Sequence, residues 1–109
     1  MKIEESLRKQ RDFQKVYKNG KSLGNRHLVF LWKRNYKDKR RVAFVASKKV
    51  GNSVERNRAK RLMKEAYRKL EIEIPQDFDL IFVARKEILK VKMDEVLKSM
   101  EKIIKKSKI

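Results

Sequence analysis

Cysteine is absent from the 109 residues, which excludes disulfides and thiolate metal sites and is compatible with a reducing compartment. There is one histidine, His27, so a paired-histidine acid/base site is impossible. The only glycines are Gly20, Gly24 and Gly51, too few and too scattered for a phosphate-cradling loop. Proline occurs once, at Pro75. The longest apolar run, Leu28–Trp32, is far too short to span a bilayer. Met1–Gln10 is charged and has no apolar core, so it does not read as a secretory signal. The expected location is the cytoplasm. Acids are also scarce: 14 Asp and Glu face 32 Lys and Arg, for a formal net charge of +18. Such an excess repels itself in a compact state and attracts polyanions.

A hydrophobic content of 40% argues for a folded basic domain over a disordered tail, and the length suits one domain with one modest core. The expected unit is 1–109, with 1–8 and 106–109 flexible at its ends. Residues 10–18 read as a helix, with Phe13, Val16 and Tyr17 on one face, stopped by Asn19-Gly20. The aromatic and β-branched run within 25–34 reads as a strand, and 41–47 as a second strand expected to pair with it as a hairpin. A further short strand is expected near Ser22. Asn52 and Glu55 have capping-box spacing, opening a helix that runs to about Leu70. Phe78–Ala84 reads as another strand, and Met93–Lys105 as a helix presenting Val96, Leu97, Met100, Ile103 and Ile104. The class is α+β, a sheet-and-helix sandwich of order α-β-β-(β)-α-β-α.

The helix after Asn52 is the most informative segment. Residues 48–70 hold nine Lys/Arg and two Glu. Arg56 and Arg58 sit in its first turn, where the helix dipole opposes each cation by about 0.3–1 kcal/mol. At about 100° per residue, Ala59, Leu62, Met63, Ala66, Tyr67 and Leu70 form an apolar face. Asn57, Lys60, Arg61, Lys64 and Arg68 form the opposite one, with only Glu65 nearby. A merely solvated face would mix signs for i,i+4 pairing, so a cationic stripe points to nucleic acid. The helix carries too few bulky apolar residues for a membrane surface. Helix-turn-helix spacing, zinc-finger ligands and the signatures of an RNA-recognition motif are all missing. The one close Asp pair, Asp77 and Asp79, reads as a turn and strand start and does not amount to the converging carboxylates of a metal nuclease.

Ser47-Lys48-Lys49-Val50-Gly51-Asn52 followed by Arg56-Asn57-Arg58-x-Lys60-Arg61 resembles the Arg-Asn-Arg signature of the protein subunit of bacterial ribonuclease P. Asp12-Phe13-Gln14-Lys15-Val16-Tyr17-Lys18-x-Gly20, Asn25-Arg26, and Arg85-Lys86 after the 78–84 strand match that family in order and spacing, across about residues 6–105. The resemblance implies a four-stranded sheet with a left-handed β-α-β crossover. It also implies a protein that is not itself the catalyst. Its partners would be the ribonuclease P RNA, which carries the active site, and precursor tRNA, whose 5′ leader is removed with Mg²⁺ bound mainly by the RNA. By position, Lys48, Lys49, Asn52, Arg56, Asn57, Arg58, Lys60, Arg61, Lys64 and Arg68 would meet the RNA subunit. Phe13, Tyr17 and Leu31 would meet the leader, Leu31 standing where family members often carry an aromatic residue. No catalytic or metal-binding residue is expected on the chain. The alternative class is a structural RNA-binding protein such as a ribosomal protein. It shares the size and charge but not the aromatic first helix beside the Arg-Asn-Arg spacing.

Overall fold

The computed structural model describes residues 4–109. In chain order the elements are β1 (Glu4–Ser6), α1 (Gln10–Asn19), β2 (Lys21–Gly24), β3 (Leu28–Arg34), β4 (Arg40–Val45), α2 (Ser53–Arg68), β5 (Phe78–Ala84), a 3-10 turn (Lys86–Lys90) and α3 (Met93–Ser107). The sheet order is β1-β4-β5-β3-β2. Four of these strands are the implied sheet, and β1 adds a parallel edge strand on β4.

Three expectations need correction. First, β3 and β4 do not form a hairpin. β5 lies between them, antiparallel to β3 and parallel to β4. The hairpin is β2–β3, closed by Asn25, whose Oδ1 accepts the N–H groups of His27 and Leu28 at 3.0 and 3.1 Å. Second, the N-terminal segment is not loose from Glu4 onward, because β1 pairs with Arg40–Val42 and Leu7 is buried; residues 1–3 lie outside the described residues. Third, α3 continues to Ser107, and Ile109 packs on the core, so the C-terminal end is folded.

Alternation in the strands gives the sheet two apolar faces. One buries Phe30, Trp32, Leu80 and Phe82 against Ala59, Met63 and Ala66 of α2 and Val96, Met100, Ile103 and Ile104 of α3. The other buries Leu31, Ala43 and Ile81 against Val16 of α1 and Leu7. The first face carries an aromatic stack, Trp32–Phe30–Phe82–Phe44, with Tyr67 of α2 set against it.

The handedness of the β4-α2-β5 crossover follows from chirality. Arg85 N–H donates to His27 O at 2.9 Å, so odd-numbered peptide groups of β5 point to β3 and even-numbered ones to β4. The side chains of those even residues lie under α2 and α3. For L-residues this puts β4 to the right of β5, seen from α2 with both strands pointing up. The chain therefore moves leftward through α2, a left-handed crossover against the usual preference.

Polar tethers fix α1 and the loops. Arg41 donates through Nε and Nη2 to Asp79 at 2.7 and 2.6 Å, and through Nη1 to Asp12 of α1 at 3.0 Å. Both carboxylates hold the Arg41 guanidinium above its usual pKa, the Asp79 hydrogen bonds most of all. Arg40, which is buried, donates to Ile74 O at 2.6 Å and pins the connection between α2 and β5. At Gly20 a Cβ would sit 2.5 Å from Val16 O and 2.7 Å from Trp32 O, so only glycine lets the end of α1 approach β3 this closely.

Candidate nucleic-acid interface

The capping box at Asn52 forms as its spacing predicts. Asn52 Oδ1 accepts the Glu55 N–H and Glu55 Oε1 accepts the Asn52 N–H, both at 2.9 Å. Gly51 makes this possible. At φ +154 it occupies a conformation rare for L side chains, and a Cβ there would collide with the Glu55 carboxylate. Asn52 therefore acts first as a cap, its side-chain oxygen already engaged.

Arg56 and Arg58, early in α2, are held by carbonyls. Arg56 Nη1 donates to Gly51 O at 3.0 Å, and Arg58 Nη1 to Leu89 O in the 3-10 turn at 3.1 Å. The Arg-Asn-Arg triplet thus fans over three directions, with Asn57 in the middle. Asn57, Lys60, Arg61 and Lys64 come together around a shallow concavity of about 440 Å³ that also exposes Val54. The opposite face is buried as the helical spacing predicts, with Ala59, Met63 and Ala66 fully enclosed.

Both β4 and β5 run toward this end of the molecule, and β3 starts there. Exposed Lys48 and Lys49 follow β4, Arg85 and Lys86 follow β5, and Arg26 precedes β3. Arg26, Arg85 and Lys86 were visible in the sequence only as parts of the family resemblance; the strand order is what gathers them beside α2. Glu87 is the local acid. Its hydrogen bond and ion pair with Lys90, 3.0 Å away, lower its pKa, with smaller help from Arg26 and His27. His27 packs the hairpin onto α3, its Nδ1 2.6 Å from Ser99 Oγ.

The aromatic residues of α1 form a second surface. The rings of Phe13 and Tyr17 stack with centroids 6.4 Å apart. Phe13 is partly buried, whereas Tyr17 is 50% exposed. Partial burial raises the Tyr17 hydroxyl pKa, so the group stays protonated at neutral pH. Phe13 lines a groove of about 500 Å³ with Ala43 and Phe44 of β4 and Lys64, Tyr67 and Arg68 of α2. The two surfaces are therefore contiguous through Lys64, and Arg68 faces the groove, not the concavity around Asn57. Leu31 is only 9% exposed and packs in the core under α1, while Phe30 and Trp32 point to the other face as alternation requires. Beside it Val29, Val45 and Val83 are only partly buried on the α1 face. Their alternation in β3, β4 and β5 was the available signal for this apolar floor.

Asp77 and Asp79 are engaged by arginines. Arg34 pairs with Asp77 at 2.9 Å and Arg41 with Asp79 at 2.6 Å. This donor set does not fit a Mg²⁺ site, and no group of three metal-ligating side chains occurs among the described residues. No helix among the described residues is long and apolar enough to cross a membrane.

Comparison with known proteins decides the family. The family model described as Ribonuclease P matches residues 1–108. The chain belongs to the ribonuclease P protein family. The ribonuclease P protein component of Thermoanaerobacter sp. (strain X514) is 44% identical over 101 residues, covering 93% of this chain and 87% of the relative. That of Clostridioides difficile (strain 630) is 40% identical over 104 residues, covering 94% and 91%. The RNase P protein structure from Staphylococcus aureus superposes with a TM-score of 0.83 at 32% identity, covering 95% of both chains. That from Thermotoga maritima gives 0.80 at 32% identity, covering 93% and 96%. Membership makes this chain the protein part of a ribonucleoprotein endoribonuclease that processes tRNA. The α+β sandwich and its crossover are the ones the Arg-Asn-Arg resemblance implied.

Proposed function

We propose that the chain assembles with the ribonuclease P RNA through the cationic end of the molecule and guides the 5′ leader of precursor tRNA, while the RNA performs the cleavage. The RNA-facing set is Lys48, Lys49, Arg56, Asn57, Arg58, Lys60, Arg61 and the shared Lys64, with Arg26, Arg85 and Lys86 extending it. The leader follows the groove between α1 and α2. Single-stranded bases meet Phe13 and Tyr17, and phosphates meet Lys64 and Arg68. Stacking accepts any base, as an enzyme acting on many tRNAs requires.

The observation that carries this reading is the continuity of the cationic stripe with an aromatic groove through the shared Lys64. A scaffold protein binding one folded RNA needs the stripe alone; a protein that also handles a single strand needs both. In this reading Mg²⁺ is held mainly by the RNA, the acid pair on the protein being already neutralised. The complex works in the cytoplasm. Reconstitution tests the proposal. The purified protein should leave precursor tRNA intact, and should raise cleavage by a bacterial ribonuclease P RNA at low Mg²⁺. Cutting by the protein without RNA, or no stimulation of the RNA, would refute it.

A further inference from the structure

The end of the sheet opposite Asn52 holds a second cluster of rings and cations. There β3 ends in Lys33 and Arg34, and the chain turns through residues 35–39 into β4. Asn35 locks that turn. Its Oδ1 accepts the Lys37 N–H at 2.8 Å, and its Nδ2 donates to Lys39 O at 3.0 Å and to Asp79 Oδ1 at 2.8 Å. Its own N–H donates to Asp77 O at 2.8 Å. Held in this way, Tyr36 adopts φ +58, a left-handed conformation that glycine takes freely and a bulky L-residue does not. The ring is not buried in exchange, being 81% exposed. The Arg34 guanidinium lies 5.8 Å from the Tyr36 centroid and 5.6 Å from that of Phe78. Beside these rings opens a cavity of about 480 Å³, walled by Trp32, Phe78 and Ile109 and rimmed by Lys21, Lys33 and Lys108.

We propose that this is a further RNA-contact site, in which one base of a single-stranded segment stacks on Tyr36 at the mouth of the cavity while the neighbouring phosphates meet Lys21, Lys33 and Lys108. An exposed ring kept in a strained backbone state, over a guanidinium and beside a cavity with both apolar and cationic walls, is the chemistry that takes a base and its phosphates together. Trp32 and Phe78 also serve the core, but a purely electrostatic surface would have no need of the exposed Tyr36 ring. The site depends on RNA being the partner class but on neither surface assigned above. The length of β3, about 20 Å, separates it from the Arg-Asn-Arg end. An RNA touching both must run the length of the sheet.

Three full-length variants test it, Tyr36→Gly, Tyr36→Phe and Lys21→Ala, with Arg56→Ala as a marker of the α2 surface. Affinity is measured for the ribonuclease P RNA, and for precursor tRNA on the reconstituted holoenzyme. Tyr36→Gly should hold or raise Tm, because glycine suits this backbone, yet lower an RNA affinity by about 5- to 150-fold, the range of one base stack. Tyr36→Phe should bind as the parent does. A loss against the RNA subunit identifies the catalytic RNA as the source of the base, and a loss confined to precursor tRNA identifies the substrate. Unchanged affinities in Tyr36→Gly while Arg56→Ala binds weakly would overturn the site and leave the α2 surface standing. A Lys21→Ala defect without a Tyr36→Gly defect would also overturn it, reducing the cluster to a charged surface.

Discussion

Replacing Lys60, Arg61 and Lys64 together by alanine separates a phosphate ladder from a solvated face. The three side chains stand on one side of α2 around the Asn57 concavity, and none pairs with a carboxylate among the described residues. Their removal breaks no internal bond, puts the best helix former at three helical positions, and lowers the self-repulsion of a chain of net charge +18. Tm should therefore hold or rise. RNA binding should respond through salt. Each phosphate contact contributes about 0.7–0.9 to the slope of log affinity against log salt, so three contacts contribute about 2–3. Raising salt from about 50 to about 200 mM would then shrink the deficit of the triple variant relative to the parent by about 20- to 40-fold. Filter binding to the ribonuclease P RNA across a salt series measures this directly. Parallel lines for parent and variant would mean that the three cations touch no phosphate. Identical lines would mean that they only face water.

Removing Asp79 (Asp79→Ala) leaves the partly buried Arg41 charge with Asp12 as its one carboxylate partner and should cost about 3 kcal/mol in urea unfolding, the low end for a broken buried pair. Asp12→Ala leaves Arg41 its two bonds to Asp79 and should cost only about 1–3 kcal/mol; equal costs would show that the network is not centred on Asp79. Gly51→Ala drives a methyl into the Glu55 carboxylate and breaks the capping box, so thermal unfolding should register at least the about 0.5–2 kcal/mol of a lost cap. A parent-like Tm there would refute the strain argument. Phe13→Ala should weaken precursor tRNA more than mature tRNA on the holoenzyme, since only the precursor carries a leader; equal losses would return Phe13 to packing alone.

Elements set by local chemistry were legible in the sequence. The capping box, the apolar face of α2 and the alternation that parts Leu31 from Phe30 and Trp32 all depend on neighbours within a few residues, and all three formed. Pairing across the sheet was not legible in the same way. Residues 41–47 are almost continuously apolar, a pattern that marks a strand covered on both faces but not its neighbour. A hairpin is the default between consecutive strands, and β5, more than thirty residues later in the chain, displaced it. β1 escaped notice because an edge strand of three residues carries almost no periodicity. The same limit applied to the site. Asn57, Lys60 and Arg61 could be grouped on one helix. The placement of Lys64 and Arg68 beside Phe13, and of Arg26 beside Arg85, needed the strand order.

That strand order is also what gives the groove two walls. α1 packs on β3 and β5 from one face of the sheet, and α2 on β4 and β5 from the other. The two helices can share a groove only where the sheet between them ends, and that edge is β4. β1 covers Arg40–Val42 and stops, its last bond running from Leu7 N–H to Val42 O at 3.0 Å. Beyond it Ala43 and Phe44 line the groove, with Phe13 on one side and Lys64, Tyr67 and Arg68 on the other. A β3–β4 hairpin would have placed β5 outside β4 and set a buried strand between the aromatic helix and the cationic one. Insertion of β5 inside β4, with a left-handed crossover carrying α2 from the outer strand, brings the cationic helix α2 and the aromatic helix α1 to the same edge. A longer β1 would close the groove, so the shortness of that strand is itself part of the site.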